Sequence, residues 1–212
     1  MEPLSTILEN KIIAIIRGSK PKDVLSIAKA LKDGGIKVLE ITMNSPKALT
    51  VIEEVSSELG DEIVVGAGTV LDPESARAAL LSGAKFILSP TTDIETIRLT
   101  KRYGAVSIPA ALTPTEILNA YENGGDIIKV FPASALGPAY IKDLHGPLPQ
   151  IPLLPTGGID LNNISHYINA GAAGVGLGSS LVNANQVMTE DYLHKLTEKA
   201  KQFVEAVKHA QD

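Results

Sequence analysis

A regular alternation restricts the fold of this chain more than any other feature. Eight short β-rich runs, KIIAIIRG, KVLEITMN, EIVVGAGTV, KFILSP, AVSIPAA, DIIKVFPA, IPLLPTGG and AGVGLGSSLV, are separated by segments of helical pattern. In KPKDVLSIAKALKDGG, Val24, Ile27, Ala28 and Leu31 share one face, and the Gly34–Gly35 pair ends the segment as a C-cap. DPESARAALLSGA opens with Asp72 as N-cap and Pro73 at the first helical position, and it stops at Gly83. TPTEILNAYENGG repeats the device with Thr113 as the cap, and EDYLHKLTEKAKQFVEAVKHA is amphipathic with charges paired four residues apart. Apolar runs with little alternation mark strands buried on both faces, and strand–helix units in tandem call for a parallel sheet. Eight units of about 25 residues each predict a closed (β/α)8 TIM barrel formed by residues 1–212 as one domain. The rival is a doubly wound open sheet, which has fewer strands and wants a G-x-G-x-x-G turn after the first. IRGSKPKD has no such turn.

Composition narrows the function. At 44% hydrophobic and 20% charged the chain is ordinary globular material. A net charge of −5 disfavours a general nucleic-acid or membrane-surface role, so an anionic ligand needs a local site. There is no cysteine, which excludes disulfides and zinc–thiolate sites, and His145, His166, His194 and His209 are scattered without ligand spacing, so no metal is expected. The N-terminus lacks a basic region followed by a long apolar stretch, and the expectation is a soluble cytoplasmic protein that binds a small molecule, with no nucleic-acid or membrane partner.

Two charges interrupt buried strands. Lys129 sits inside DIIKVFPA, on the same face as Ile127 and Phe131 by the two-residue period of a strand. Lysine is among the residues least often buried, so it either snorkels or pairs, or it serves chemistry at the barrel mouth, where residues from several strands converge. Glu40 interrupts VLEIT in the same way: it is either half of a buried ion pair with Arg17 or Lys129, or a general acid/base beside an amine. Arg17 ends the first strand. The loops after the seventh and eighth strands, PTGGID and GLGSS, carry glycines that let backbone N–H groups approach an anion, with Asp160 expected to cap a helix; on this barrel those two loops form the usual phosphate site.

EIT, GAGTV, SP, TPTE, KVFPA, PTGGI and GLGSSLV, in that order over about residues 10–183, resemble the 2-keto-3-deoxy-6-phosphogluconate (KDPG) and 4-hydroxy-2-oxoglutarate (KHG) aldolases. The resemblance implies a class I, Schiff-base aldolase, a lyase of carbohydrate metabolism that uses no cofactor and assembles as a homotrimer. It implies Lys129 as the imine-forming residue and Glu40 as the proton-transfer residue. Arg17, Thr69, Pro90 and Thr156 fall at substrate positions, with Arg17 toward the pyruvate carboxylate, and Gly157, Gly158, Gly178 and Ser179 at the phosphate site. Two positions depart from the phosphogluconate pattern. Asn44 stands where arginine is common, in an Asn-Ser-Pro turn more like the branch acting on 2-keto-3-deoxy-6-phosphogalactonate, and Ala110 follows Pro109 where glycine is usual. The products implied are pyruvate with glyceraldehyde 3-phosphate, or with glyoxylate; the galactonate epimer as substrate, or a phosphate-binding isomerase or synthase on the same barrel, are the alternatives. An ordinary lysine, of pKa about 10.4, is neutral roughly once in 2,500 molecules at pH 7, so an imine former must have its pKa lowered. Burial and Arg17 lower it and an ionised Glu40 raises it; the sequence leaves that balance open.

Overall fold

A computed structural model describes residues 2–210. Helix α1 (Pro3–Asn10) precedes strand β1 (Ile12–Ile16), and the units α2 (Pro21–Asp33), β2 (Val38–Thr42), α3 (Ala48–Leu59), β3 (Val64–Gly68), α4 (Pro73–Leu81), β4 (Phe86–Leu88) and α5 (Ile94–Arg102) follow. Next come β5 (Val106–Ile108), β6 (Ala110–Ala111), α6 (Pro114–Glu122), β7 (Ile128–Val130), α7 (Gly137–His145), β8 (Leu153–Pro155), α8 (Ile164–Asn169), β9 (Val175–Leu177) and α9 (Glu190–His209). All pairings are parallel, in the orders β5-β4-β3-β2-β1-β9 and β6-β7-β8. The two arcs close into the expected (β/α)8 barrel. β5 and β6 are one run broken at Pro109, which has no N–H to give the ladder. The other seam, between β8 and β9, is carried by the bridge Thr156–Gly176.

Local chemistry starts the helices where the caps predict. Asp72 accepts from the N–H of Ser75 at 2.6 Å, and Thr113 and Glu116 form a reciprocal capping box at α6. Val24, Ile27, Ala28 and Leu31 of α2 are all buried, as their shared face requires. α1 is an addition to the eight helices read from periodicity. It seats Ile7 in the apolar cluster inside the barrel, with Leu4 and Leu8 against it, beside Ile13, Val38, Val64, Phe86, Val106, Ile127 and Leu154. A larger cluster fills the layer between sheet and helices. Inside, Gly66 leaves the space that the Phe86 ring occupies, because a methyl at Gly66 would run into that ring. The interior is thus packed with apolar side chains below, and Glu40 and Lys129 interrupt it from the middle of β2 and β7.

Candidate active site

Lys129 is held on both sides: its residue pairs with Ala110 of β6 and Leu154 of β8, and its backbone N–H donates to Pro109 O at 2.9 Å. Strand alternation sends Ile128 and Val130 into the outer layer and Ile127 into the inner cluster, on the Lys129 face. The side chain does not snorkel to solvent; the residue is only 3% exposed. Its Nζ lies 4.7 Å from the centroid of the Phe131 ring, a cation–π distance.

Glu40, at the middle of β2, aligns with Ile15 of β1 and Gly66 of β3 and is fully buried. Its carboxylate lies against Gly68, where an added methyl would coincide with it. GAGTV is therefore glycine-rich for room: one glycine accommodates Phe86 and the other Glu40. Neither carboxylate oxygen has a hydrogen-bond partner among the described residues, so the buried ion pair is not formed. A buried polar group without partners is costly and calls for a reason beyond stability.

The two groups act on each other through space. Burial pushes the Glu40 carboxyl above its usual range, while Lys129 and then Arg17 pull it back. Burial pushes the Lys129 amine below its ordinary value; Glu40 opposes this and Arg17 adds to it. In both groups desolvation outweighs the attraction, which answers the balance the sequence left open. A protonated acid beside a neutral amine holds the same single proton as a carboxylate beside an ammonium, and burial favours the uncharged arrangement.

Arg17, exposed at the end of β1, donates from Nη2 to Thr69 Oγ1 at 3.3 Å. Thr69 stands at φ +55°, a region that β-branched residues rarely occupy and that tends to be tolerated at functional sites. The turn after β2 is tied to the same strand end: Ser45 Oγ accepts the Gly18 N–H at 2.8 Å and lies 2.8 Å from Thr42 Oγ1.

A cleft of about 660 Å³ opens here, and its lining includes Arg17, Phe131, Thr156, Gly157, Gly158, Asp160, Gly178 and Ser179. Gly157 and Gly158, at φ +98° and +72°, turn the backbone after β8 through conformations suited to glycine. Among the described residues the backbone N–H groups of Gly157, Gly158, Ser179 and Ser180 donate to no protein acceptor, which leaves four donors for an anion. Tyr167 OH donates to Ala133 O at 3.2 Å and Asn163 Nδ2 to Gly158 O at 2.9 Å, so the flanking loops are braced from α8 and from the turn before it.

Of the residues marked from sequence, Arg17, Thr156, Gly157, Gly158, Gly178 and Ser179 line the cleft. Lys129, Glu40 and Thr69 do not line it; Lys129 lies against Phe131 and Thr69 against Arg17, both of which do. Asn44, exposed in the turn after β2, and Pro90, half-buried after β4, stand at the same end of the barrel without lining that cleft. One local expectation is corrected. Asp160 does not cap a helix; α8 begins at Ile164 with Asn163 at the cap position, and Asp160 Oδ1 instead accepts the Asn162 N–H at 2.8 Å within the preceding turn. Phe131 and Gly68 hold places in the site that the sequence reading did not give them: Phe131 lines the cleft and Gly68 makes room for Glu40. Phe131 follows Lys129 by two and Gly68 lies two past Gly66, so the strand period was the available signal for both.

An amine and a carboxyl are buried inside this barrel, next to a cleft with unpaired backbone N–H groups. The sequence profile of the KDPG and KHG aldolases matches residues 4–198. The chain is 38% identical over 200 residues to the 2-dehydro-3-deoxy-6-phosphogalactonate aldolase of Escherichia coli K12, covering 94% of this chain and 95% of that one. It is also 38% identical over 161 residues to the 2-dehydro-3-deoxy-phosphogluconate aldolase of Pseudomonas aeruginosa, covering 76% and 73%. The KDPG aldolase of Legionella pneumophila, solved with pyruvate captured as a covalent carbinolamine, superposes with a TM-score of 0.81 at 28% identity over 99% of this chain and 98% of that one. The chain belongs to the KDPG and KHG aldolase family and is an aldehyde-lyase of that family.

Proposed function

We propose that this chain cleaves 2-keto-3-deoxy-6-phospho sugar acids to pyruvate and glyceraldehyde 3-phosphate, and 4-hydroxy-2-oxoglutarate to pyruvate and glyoxylate, through an imine on Lys129. The observation that carries the reading is the buried, partnerless Glu40 beside a buried amine whose pKa is lowered by the same burial. The relatives act on both the gluconate and the galactonate epimers by their names, and both epimers are taken as substrates here.

The uncharged pair suits the first step. Neutral Nζ of Lys129 attacks the C2 ketone, and the Glu40 acid gives its proton to the departing hydroxyl, leaving an iminium cation and the Glu40 carboxylate. The carboxylate then takes the C4 hydroxyl proton while the C3–C4 bonding electrons flow to the iminium, which releases the aldehyde and leaves a pyruvate enamine. The regenerated Glu40 acid protonates C3, and water hydrolyses the imine to free pyruvate. One proton therefore moves back and forth on Glu40 and is returned by the end of the cycle. Acid–base assistance of this kind contributes about 10²–10⁴-fold. Arg17 faces the substrate carboxylate, and the free N–H groups of the loops after β8 and β9 take the distal phosphate. The family resemblance extends to a homotrimer, which sedimentation tests.

Pyruvate and borohydride decide the chemistry. The wild type is expected to gain one reduced pyruvate adduct on Lys129 by peptide mass spectrometry, and Lys129→Ala to gain none and to lose kcat by several orders of magnitude. An adduct on any other lysine refutes the assignment, and the absence of any adduct leaves an isomerase, a synthase or a catalytically silent anion-binding protein.

A further inference from the structure

The loops after β8 and β9 contain a charge that no step of the cleavage uses. Asp160 lines the cleft beside Gly157, Gly158, Gly178 and Ser179, and it shares the lining with one other charged side chain, Arg17. Arg17 follows β1 and belongs to neither of the two loops. Its guanidinium bonds to Thr69, which follows β3, and β3 lies on the opposite side of β1 from β9 and β8. An anion seated on the N–H groups of Gly157, Gly158, Ser179 and Ser180 thus meets a carboxylate and no balancing cation within that loop pair.

The carboxylate is also held in place. Asp160 Oδ1 accepts the Asn162 N–H at 2.8 Å, and the Asp160 N–H donates to Asn163 Oδ1 at 2.9 Å. Asn163 Nδ2 in turn donates to Gly158 O at 2.9 Å, so the turn that carries the acid also presents Gly158. The carboxylate is therefore tied to the same turn that presents Gly158.

We propose that Asp160 is a specificity-determining residue that weakens the cleft's preference for a phosphate dianion, so that substrates with a singly charged or neutral distal end compete with phosphorylated ones. The proposal rests on the reading of these loops as the anion site of an aldolase. A fixed negative charge repels a dianion twice as strongly as a monoanion, and at a hydrated cleft mouth that difference amounts to roughly three- to thirty-fold in binding.

Asp160→Asn keeps the oxygen that accepts from Asn162 and removes the charge; Asp160→Ser is the second variant. Two quantities are read on the intact protein: the Kd of inorganic phosphate at pH 8 by calorimetry, and the ratio of kcat/KM for a phosphorylated over an unphosphorylated substrate. Phosphate binding is expected to tighten about tenfold in Asp160→Asn, and the ratio to rise by a similar factor. Unchanged or weaker phosphate binding in both variants overturns the proposal, as does a ratio that stays level or falls, which would mean that Asp160 shapes the turn. Phosphate binding reports on Asp160 whether or not the protein is an aldolase, and pyruvate trapping on Lys129 reports on the aldolase reading alone.

Discussion

Gly68→Ala probes the space that Glu40 depends on. Gly68 lies in β3, paired with Thr42 of β2, in a backbone conformation that alanine adopts without strain. In isolation the substitution stabilises by about 0.4–1 kcal/mol, because the unfolded chain loses freedom. Against this, the new methyl would overlap the carboxylate of Glu40 and its neighbouring carbons. Glu40 is fully buried, so the conflict is relieved only by forcing it off its rotamer or spreading β2 from β3, at about 1–3 kcal/mol. The net expectation is a loss of up to about 2.5 kcal/mol. The two parts separate in a double-mutant cycle: in a Glu40→Ala background the overlap is gone, and Gly68→Ala should be neutral or stabilising, giving a coupling of about 1–3 kcal/mol. Activity falls with the displaced carboxylate. A misplacement of about 1 Å costs on the order of 10²-fold, so kcat should drop by that factor while borohydride still traps pyruvate on Lys129. Urea unfolding of the four proteins and steady-state cleavage by the single variant are the assays. An equal stability change in both backgrounds, or a kcat near that of the wild type, refutes the claim that Gly68 is small in order to seat Glu40.

Glu40→Gln should retain pyruvate trapping yet exchange the pyruvate methyl protons at least 10²-fold more slowly; exchange at the wild-type rate would make Glu40 structural. The same variant carries a pH signature. The folded-state pKa of Glu40 lies above its ordinary 4.5, so its stabilising contribution is complete below that pH and is lost as pH rises through the folded value. Lys129, lowered from 10.5, contributes stability above that pH and loses it as pH falls through its own folded value. Because Gln cannot ionise, Glu40→Gln should gain on the wild type in urea midpoints as pH rises above 4.5, and a gap that stays constant with pH refutes the shift. Asn44→Arg places a long cation on the exposed turn after β2, and replacing a neutral hydrogen bond by a charge-assisted one is worth about 1–2 kcal/mol. The gluconate-over-galactonate ratio of kcat/KM should rise roughly five- to thirty-fold, and a wild type already selective by about a hundred-fold for the gluconate epimer would show that Asn44 does not set the preference.

Much of this molecule is visible along the chain. The periods of two and 3.6 residues place the strands and helices, the caps at Asp72 and Thr113 start α4 and α6, and Lys129 and Glu40 stand out because a charge inside an apolar strand needs no geometry to be noticed. The first helix escaped because it is short and has no side-chain cap; its purpose, closing the barrel below Ile13 and Val38, exists only once the barrel does. Pro109 reads as part of one strand in sequence but breaks the ladder once β5 and β6 must pair with different neighbours. That Glu40 lies partnerless against Gly68, and that Arg17 bonds to Thr69, are features of the folded chain alone. Asp160 was seen as a helix cap, yet α8 starts three residues later than that role requires. Burial periodicity is a local property that each strand carries by itself. The protonation and reach of a charged group depend on what packs beside it, and that is set by register and free volume between strands far apart in the chain.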